Sequence, residues 1–311
     1  MSTMRFENIN REVVPKTFKE VRQWRRERAG KIKHKDYSYT VPTADPDLIY
    51  LHSNSADPSL TWIGHSTFLI QHSGLNIMTD PIWAEKLALQ RRLSPPGLAI
   101  QDVPPIDVVL ISHSHYDHLH MKSLEQLKGS KTLIVPAGLA NKLRRRGFSS
   151  IIELAWWQSA SISGITFTFV PAQHWTRRTL TDTNKSHWGG FIIESELAPT
   201  VYFAGDSGYF DGFAEIGNRF DIDVALMPIG AYEPEWFMGQ QHVTPEEALQ
   251  AFLDVRAKRF VPMHYGSYKL ADDTPREALD RLEAESKRLS LPRGSVMILP
   301  HGETVRLNDN K

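Results

Sequence analysis

From Leu60 onward the chain consists of short apolar runs, each closed by a polar or glycine-containing turn, alternating with stretches whose apolar positions recur at helical spacing. TWIGHSTFLIQHSGLNIMTDP predicts two strands joined at Ser73-Gly74. DVVLIS, TLIVP, ITFTFVP, GGFIIES, TVYFAGD, DVALMPIG, RFVPMH and SVMILP predict further strands. Helices are expected at SLEQLK, AGLANKLRRRG, TPEEALQAFLDVRA and TPREALDRLEAESKRLS. The third carries a start signal, with Thr244 as N-cap, Pro245 next and Glu247 completing a capping box. The pattern predicts one α+β domain over residues 51–311, two sheets covered by helices.

Residues 1–50 read differently, as a basic extension and connector. Positions 11–35 hold ten Lys or Arg, Arg11 among them, against three Glu, in a chain whose 36 basic and 36 acidic residues otherwise balance. Phe18, Val21 and Trp24 recur there at three-residue steps. Such a segment forms either a basic amphipathic helix on an anionic membrane surface or a solvated helix docked by its three apolar residues. Tyr37 to Pro58, rich in Pro, Asp and Ser, reads as a connector. No run of about 18 apolar residues exists, and the start MSTMRFENINREVVPK lacks the apolar core of a secretory signal. The expectation is a cytoplasmic protein with, at most, peripheral membrane contact. Zero net charge argues against general nucleic-acid binding, which needs a basic face to displace counterions. Absence of cysteine excludes disulfides and thiolate chemistry.

What the chain does hold is histidine: 13 residues, four of them between 113 and 120. The apolar run Val108 to Ile111 leads through Ser112 to His113 and His115, which at i and i+2 point the same way while the chain stays extended. The following loop turns Asp117 and His118 towards a second point. Two imidazoles for one cation and a carboxylate with an imidazole for another suit zinc and other borderline divalent metals. Three other predicted strands also end in ligand types: His174 after ITFTFVPAQ, Asp206 after TVYFAG, and His264 after RFVPM. Asp80 in MTDP reads as an orienting group for a ligand imidazole or as an Asx-turn before Pro81.

These motifs resemble the metallo-β-lactamase superfamily, and more narrowly the N-acylphosphatidylethanolamine-hydrolysing phospholipase D family. The likeness runs through TWIGHSTFLI, MTDPIW, PPIDVVLISHSHYDHL, IIELAWW, PAQHWTRRTLTDTNKSHWGGF, FAGDSGYF, PIGAYEPEWFMGQQHVTPEEA and HGE, nearly all of residues 60–305. It implies an αββα four-layer sandwich and two zinc ions, one held by His113, His115 and His174, the other by Asp117, His118 and His264, with Asp206 bridging. Other divalent transition metals are compatible with the same donors. Asp117, Asp206 and His242 are the implied catalytic groups.

On the substrate side the resemblance points to Gln241 and His242 in QHV near a phosphate, a position also favoured by the start of the following helix. Thr67 stands where the family usually has serine. His65 either contacts substrate or packs beneath the site, and Tyr116 either donates to a phosphoryl oxygen or covers the pocket. Arg177 and Arg178 either bind phosphate or anionic head groups, or make structural salt bridges. Tyr232, Trp236, Phe237 and Met238 in AYEPEWFMGQQ are expected to meet acyl chains or membrane, or to fold onto their own domain. The implied reaction is phospholipase D type hydrolysis of N-acylphosphatidylethanolamine to N-acylethanolamine and phosphatidic acid by a metal-bridging hydroxide. The alternatives are a hydrolase of the same fold acting on a lactone, cyclic nucleotide or other soluble phosphodiester, and a non-catalytic membrane-associated module. Family relatives also make a homodimer an expectation.

Overall fold

A computed structural model describes residues 5–10 and 16–308. Arg11 of the basic segment lies outside them. In chain order the strands are β1 (Ser59–Gly64), β2 (Thr67–His72), β3 (Leu75–Thr79), β4 (Lys86–Leu87), β5 (Gln90–Arg91), β6 (Val108–Leu110), β7 (Thr132–Pro136), β8 (Ile151–Leu154), β9 (Ser159–Ile162), β10 (Ile165–Val170), β11 (Gly190–Ser195), β12 (Ala198–Phe203), β13 (Val224–Pro228), β14 (Arg259–Met263) and β15 (Thr304–Arg306). The helices are α1 (Phe18–Lys31), α2 (Leu48–Ser53), α3 (Met121–Gln126), α4 (Ala140–Arg144), α5 (Gly212–Arg219), α6 (Glu235–Met238), α7 (Pro245–Asp254) and α8 (Pro275–Arg288).

One sheet runs β15-β1-β2-β3-β6-β7-β8 and the other β14-β13-β12-β11-β10-β9, while β4 and β5 form a separate hairpin. Period-2 alternation builds the layers. On β6, Val108 and Leu110 enter the core between the sheets, whereas Val109 packs outward with Leu124, Leu139 and Leu143 beneath α3 and α4. Phe167, Phe169, Phe191 and Phe203 of the second sheet complete the inner core, and Leu249, Phe252, Leu279 and Leu282 of α7 and α8 cover its outer face. This is the expected αββα sandwich. It places the ends of β6, β10, β12 and β14 on one rim.

The capping box on α7 forms as expected: Glu247 N–H donates to Thr244 Oγ1 at 3.1 Å, and Thr244 N–H donates to Glu247 at 2.9 Å. SVMILP is not a strand. It makes a single bridge, Phe260 to Val296, because the facing β14 continues into Pro262, which has no N–H to offer. TWIGHSTFLIQHSGLNIMTDP holds three strands rather than two, β1 being joined to β2 at His65-Ser66. The stretch read as a connector contains α2, and its Val41 lies in the main core.

Helix α1 is docked, not free. Val21 and Trp24 pack on Ala231, Phe237, Met238 and Ala271, Trp24 stacks on Phe237 at 5.1 Å, and Arg28 pairs with Asp272 at 2.7 Å. Lys35 binds Glu233 and Glu277. The aromatic loop is therefore occupied from above: Tyr232, Phe237 and Met238 are buried and Trp236 alone of the four is exposed. Its expected role as a membrane or acyl contact gives way to packing against the domain's own N-terminal helix. No helix among the described residues is long and apolar enough to cross a membrane.

Candidate metal centre

Strand β6 delivers His113 and His115, β10 leads to His174, β12 to Asp206 and β14 to His264, so the rim gathers every residue expected as a ligand. Gly205 makes the meeting of the two sheets close enough: a Cβ there would sit 2.7 Å from Ser112 Cβ. Three residues at the site hold the left-handed backbone, His65 (φ 55°), Asp80 (φ 31°) and His264 (φ 61°), a strain that persists only where surrounding contacts fix it.

The donors fall into two clusters. In the first, His115 Nδ1 lies 2.9 Å from His113 Nε2 and 3.2 Å from His174 Nε2. His113 Nδ1–H donates to Ser112 Oγ at 2.9 Å and His174 Nδ1–H donates to the Gln241 carbonyl at 2.9 Å, which leaves both Nε2 atoms as lone pairs. Burial holds all three rings below the ordinary histidine range, His115 at about 3 and His174 at about 4. Three neutral nitrogens facing one point, with at most one proton among them, fit a cation. Nitrogens around a tetrahedral ion at about 2.0–2.1 Å stand about 3.3 Å apart, close to these separations.

In the second cluster His118 Nε2 and His264 Nε2 each lie 3.1 Å from Asp206 Oδ2, and 3.3 and 3.5 Å from Asp117 Oδ2. His118 Nδ1–H donates to Asp80 Oδ2 at 2.7 Å, so its Nε2, buried and without a hydrogen-bond partner, is a lone pair aimed at two carboxylates. That arrangement is repulsive unless a cation or an added proton stands between. Burial alone would keep His118 and His264 neutral. Asp206 and Asp117 overcome it and raise His118 well above its usual value and His264 to about 9. Asp206 Oδ2 also lies 3.9 Å from His113 Nε2 and His174 Nε2, between the clusters, and its Oδ1 has no partner. Among the described residues the two clusters fit two divalent cations sharing Asp206.

Asp80 takes the orienting position. Besides His118 it accepts from Ser112 N–H at 2.8 Å and Ser112 Oγ–H at 2.5 Å. His65 lies against Asp117, its Nε2 at 3.1 Å from Oδ2, which fixes a carboxylate oxygen rather than a substrate. His242 is buried, its Nδ1 3.9 Å from Asp206 Oδ2 and without a hydrogen-bond partner. The other expected substrate contacts are spent elsewhere. Gln241 accepts from Trp175 Nε1–H at 2.5 Å and donates to Met238 sulfur at 3.4 Å, so it braces the backbone that holds His174. Thr67, fully buried, donates to the Asp80 carbonyl at 2.7 Å and accepts from Ile82 N–H at 3.1 Å, clamping the Asp80 turn. Tyr116 is 55% exposed, and its hydroxyl donates to the Arg178 carbonyl at 2.9 Å, so its ring covers the cleft instead of offering a free donor.

Arg178 proves structural. Its guanidinium lies 4.0 Å over Tyr116, and Nη1 donates to the carbonyls of Ser114, His115 and Leu119 at 2.8, 3.2 and 2.9 Å. Two residues of the site escape sequence reading. Ser112 links His113 to Asp80. Asn8, buried, donates to the His174 carbonyl at 3.0 Å and accepts from His174 N–H at 3.1 Å across 166 residues of sequence.

A cleft of about 570 Å³ opens beside the second cluster, lined by Asp117, Tyr116, Leu87, Arg28, Lys86 and Lys269. Leu89, between Leu87 and Gln90 at the hairpin tip, is 88% exposed.

Comparison with known proteins follows this geometry. The model of the beta-lactamase superfamily domain matches residues 75–265. Over 237 residues the chain is 35% identical to the mitochondrial N-acyl-phosphatidylethanolamine-hydrolyzing phospholipase D of Saccharomyces cerevisiae, a match covering 72% of this chain and 50% of that protein. The chain thus spans about half the length of the yeast relative. Over 266 residues it is 34% identical to N-acyl-phosphatidylethanolamine-hydrolyzing phospholipase D 1 of Caenorhabditis elegans, covering 78% of this chain and 74% of that one. Among solved structures, Igni18, a metallo hydrolase from the archaeon Ignicoccus hospitalis, superposes with a TM-score of 0.62 at 25% identity, over 80% of this chain and 98% of its own.

Proposed function

The chain belongs to the beta-lactamase superfamily, as a metal-dependent hydrolase of the N-acyl-phosphatidylethanolamine-hydrolyzing phospholipase D-like family, and on that premise we propose that it cleaves the phosphodiester of an N-acylated phospholipid. The observation that carries this reading is the cleft at Asp117. Its walls combine the cations Arg28, Lys86 and Lys269 with the apolar Leu87, Ala88 and Leu270, a lining suited to an anionic head group with acyl chains attached. Exposed Tyr116 on this cleft, with exposed Leu89 on the hairpin that supplies Leu87 and Ala88 to its wall, supports peripheral contact of a cytoplasmic protein with a membrane surface.

His113, His115 and His174 would hold one zinc ion, and Asp117, His118 and His264 the other, with Asp206 between. When bound, such a pair supplies a water activated at neutral pH and neutralises charge on phosphoryl oxygens. The protein's own groups do the rest. Asp117 Oδ2, steadied by His65, is positioned to accept the proton given up by the attacking water. His242, neutral through burial, faces the same space and can donate a hydrogen bond to a phosphoryl oxygen, while the proton taken by Asp117 passes to the departing alkoxide oxygen. A new bond forms between water oxygen and phosphorus, and the bond from phosphorus to the ethanolamine oxygen breaks, leaving phosphatidic acid and N-acylethanolamine.

The test is mass-spectrometric product analysis of zinc-loaded protein with N-acylphosphatidylethanolamine vesicles, beside a chelator-stripped sample and a panel of lactones, cyclic nucleotides and soluble phosphodiesters. Metal-dependent release of N-acylethanolamine is the expected result. Turnover confined to a soluble member of the panel would replace the lipid with that compound.

A further inference from the structure

A second cavity, of about 540 Å³, shares no lining residue with the substrate cleft. Ser114, the residue between His113 and His115, forms part of its floor with Ser186. Both are nearly buried, and Ser186 Oγ–H donates to Ser114 Oγ at 3.0 Å, which leaves the Ser114 hydroxyl proton to point elsewhere. Lys142, Arg145 and Lys185 line the walls, and Asp182 is the one carboxylate among the lining residues. That carboxylate is largely committed: its Oδ1 accepts from the N–H groups of Arg178 and Thr179 at 2.9 and 2.7 Å, and its Oδ2 reaches Lys142 only at 3.8 Å. Arg145 and Lys185 make no salt bridge among the described residues. Burial and the neighbouring Arg178 push the Lys142 ammonium below its usual range, with Asp182 offsetting this only in part.

Three cations line this cavity against one carboxylate that is already committed, a lining suited to an anion. We propose that this cavity binds a phosphate-bearing anion through Lys142, Arg145 and Lys185, with the Ser114 hydroxyl as a further donor, separately from the metal centre. The ligand class is a phosphate monoester, either free or as the exposed head group of an anionic lipid. Binding there bears on the metals because the same elements form the brace of the H-x-H loop. Arg178, whose N–H is capped by Asp182, donates to the carbonyls of Ser114 and His115. An anion that draws Lys142 and Lys185 together tightens that brace.

The experiment titrates zinc-loaded full-length protein with inorganic phosphate by calorimetry at low ionic strength, comparing wild type with R145Q and K142Q/K185Q. Wild type should take up one phosphate per chain more than K142Q/K185Q, and R145Q should weaken the additional site by about tenfold, the loss of roughly one charge-assisted hydrogen bond. Metal content should be the same in all three, which separates this site from phosphate held at the metal centre. Arg145 is solvent-exposed, so R145Q keeps the test valid should the double variant fold poorly. A parallel arm measures co-sedimentation with phosphatidylcholine vesicles with and without phosphatidic acid. Loss of phosphatidic-acid-dependent binding in the same variants assigns the site to a lipid head group, and unchanged sedimentation with the reduced phosphate stoichiometry assigns it to a free anion. Equal phosphate stoichiometry and affinity in all three proteins would overturn the proposal.

Discussion

Asn8 holds the main chain of His174 from both sides, and Trp188 Nε1–H donates to the same Asn8 oxygen at 3.0 Å. Replacing it by alanine leaves a buried N–H and carbonyl beside a ligand imidazole without partners, a cost of about 1–3 kcal/mol. Asn8→Ala should therefore weaken cation binding in the three-imidazole cluster by about tenfold, read by competition with a chromophoric chelator. Unchanged affinity would show that the Gln241 carbonyl alone sets the ring. No pattern around Asn8 announces this role, since the partner lies 166 positions away and the contact is made to backbone. The candidate ligand types were legible because His113, His174, Asp206 and His264 follow apolar runs near strand ends and Asp117 and His118 follow His115 in one short loop. Gln241 and Thr67 make hydrogen bonds that fasten the walls of the site, a role that their place beside the expected phosphate position does not announce in sequence.

At the scale of elements, Arg178 fastens the loop from His113 to Leu119 by donating to three of its carbonyls. Arg178→Gln removes a partly buried guanidinium that serves three carbonyls, each charge-assisted bond worth about 1.5–3 kcal/mol before solvent screening. The expected outcome is faster metal loss to chelator and a melting temperature lower by several degrees, with Arg178→Lys recovering only part because a single ammonium cannot reproduce the planar fork. A variant that melts and holds metal like wild type would assign the loop's rigidity to Tyr116 or Ser186 instead. Strand β6 and the cap of α7 were readable from period and capping chemistry. The failure at SVMILP shows the limit: a run with strand composition still needs a neighbour able to donate, and Pro262 is not one. Of the two readings of the aromatic loop, folding onto its own domain holds, and its cover, Val21 and Trp24 of α1, lies too far away in the chain to be read beside it.

For the molecule as a whole, the two sheets bring carboxylates and imidazoles together at a separation that demands positive charge. Without metal that charge is protons, since His264 titrates at about 9 and His118 well above its ordinary value. In the unfolded chain both rings titrate near 6.5. Their contribution to the stripped protein is thus fully present below about pH 6.5 and is lost as pH rises through about 9. The gap in melting temperature between loaded and stripped protein should widen across that interval, and loading near pH 7.5 should release about two protons per chain, all from the second cluster. Calorimetry in buffers of different ionisation enthalpy measures the release. A gap independent of pH with no proton release would mean that the carboxylates are neutralised in another way. The layered fold was legible because β6 and its neighbours are short continuous apolar runs, the mark of strands covered on both faces. Docking of the basic N-terminal helix was one of its two expected readings and holds for Val21 and Trp24, though Phe18 stays exposed; its receptor was not legible, since Asp272 and Phe237 lie far along the chain.

The central claim is hydrolysis at phosphorus by water activated at the paired clusters. It is tested most directly by running the reaction of zinc-loaded protein with N-acylphosphatidylethanolamine in oxygen-18 water and weighing both products. The account predicts one heavy oxygen in phosphatidic acid and none in N-acylethanolamine, with no reaction after chelation. Heavy oxygen in the N-acylethanolamine, or turnover that survives chelation, would contradict it.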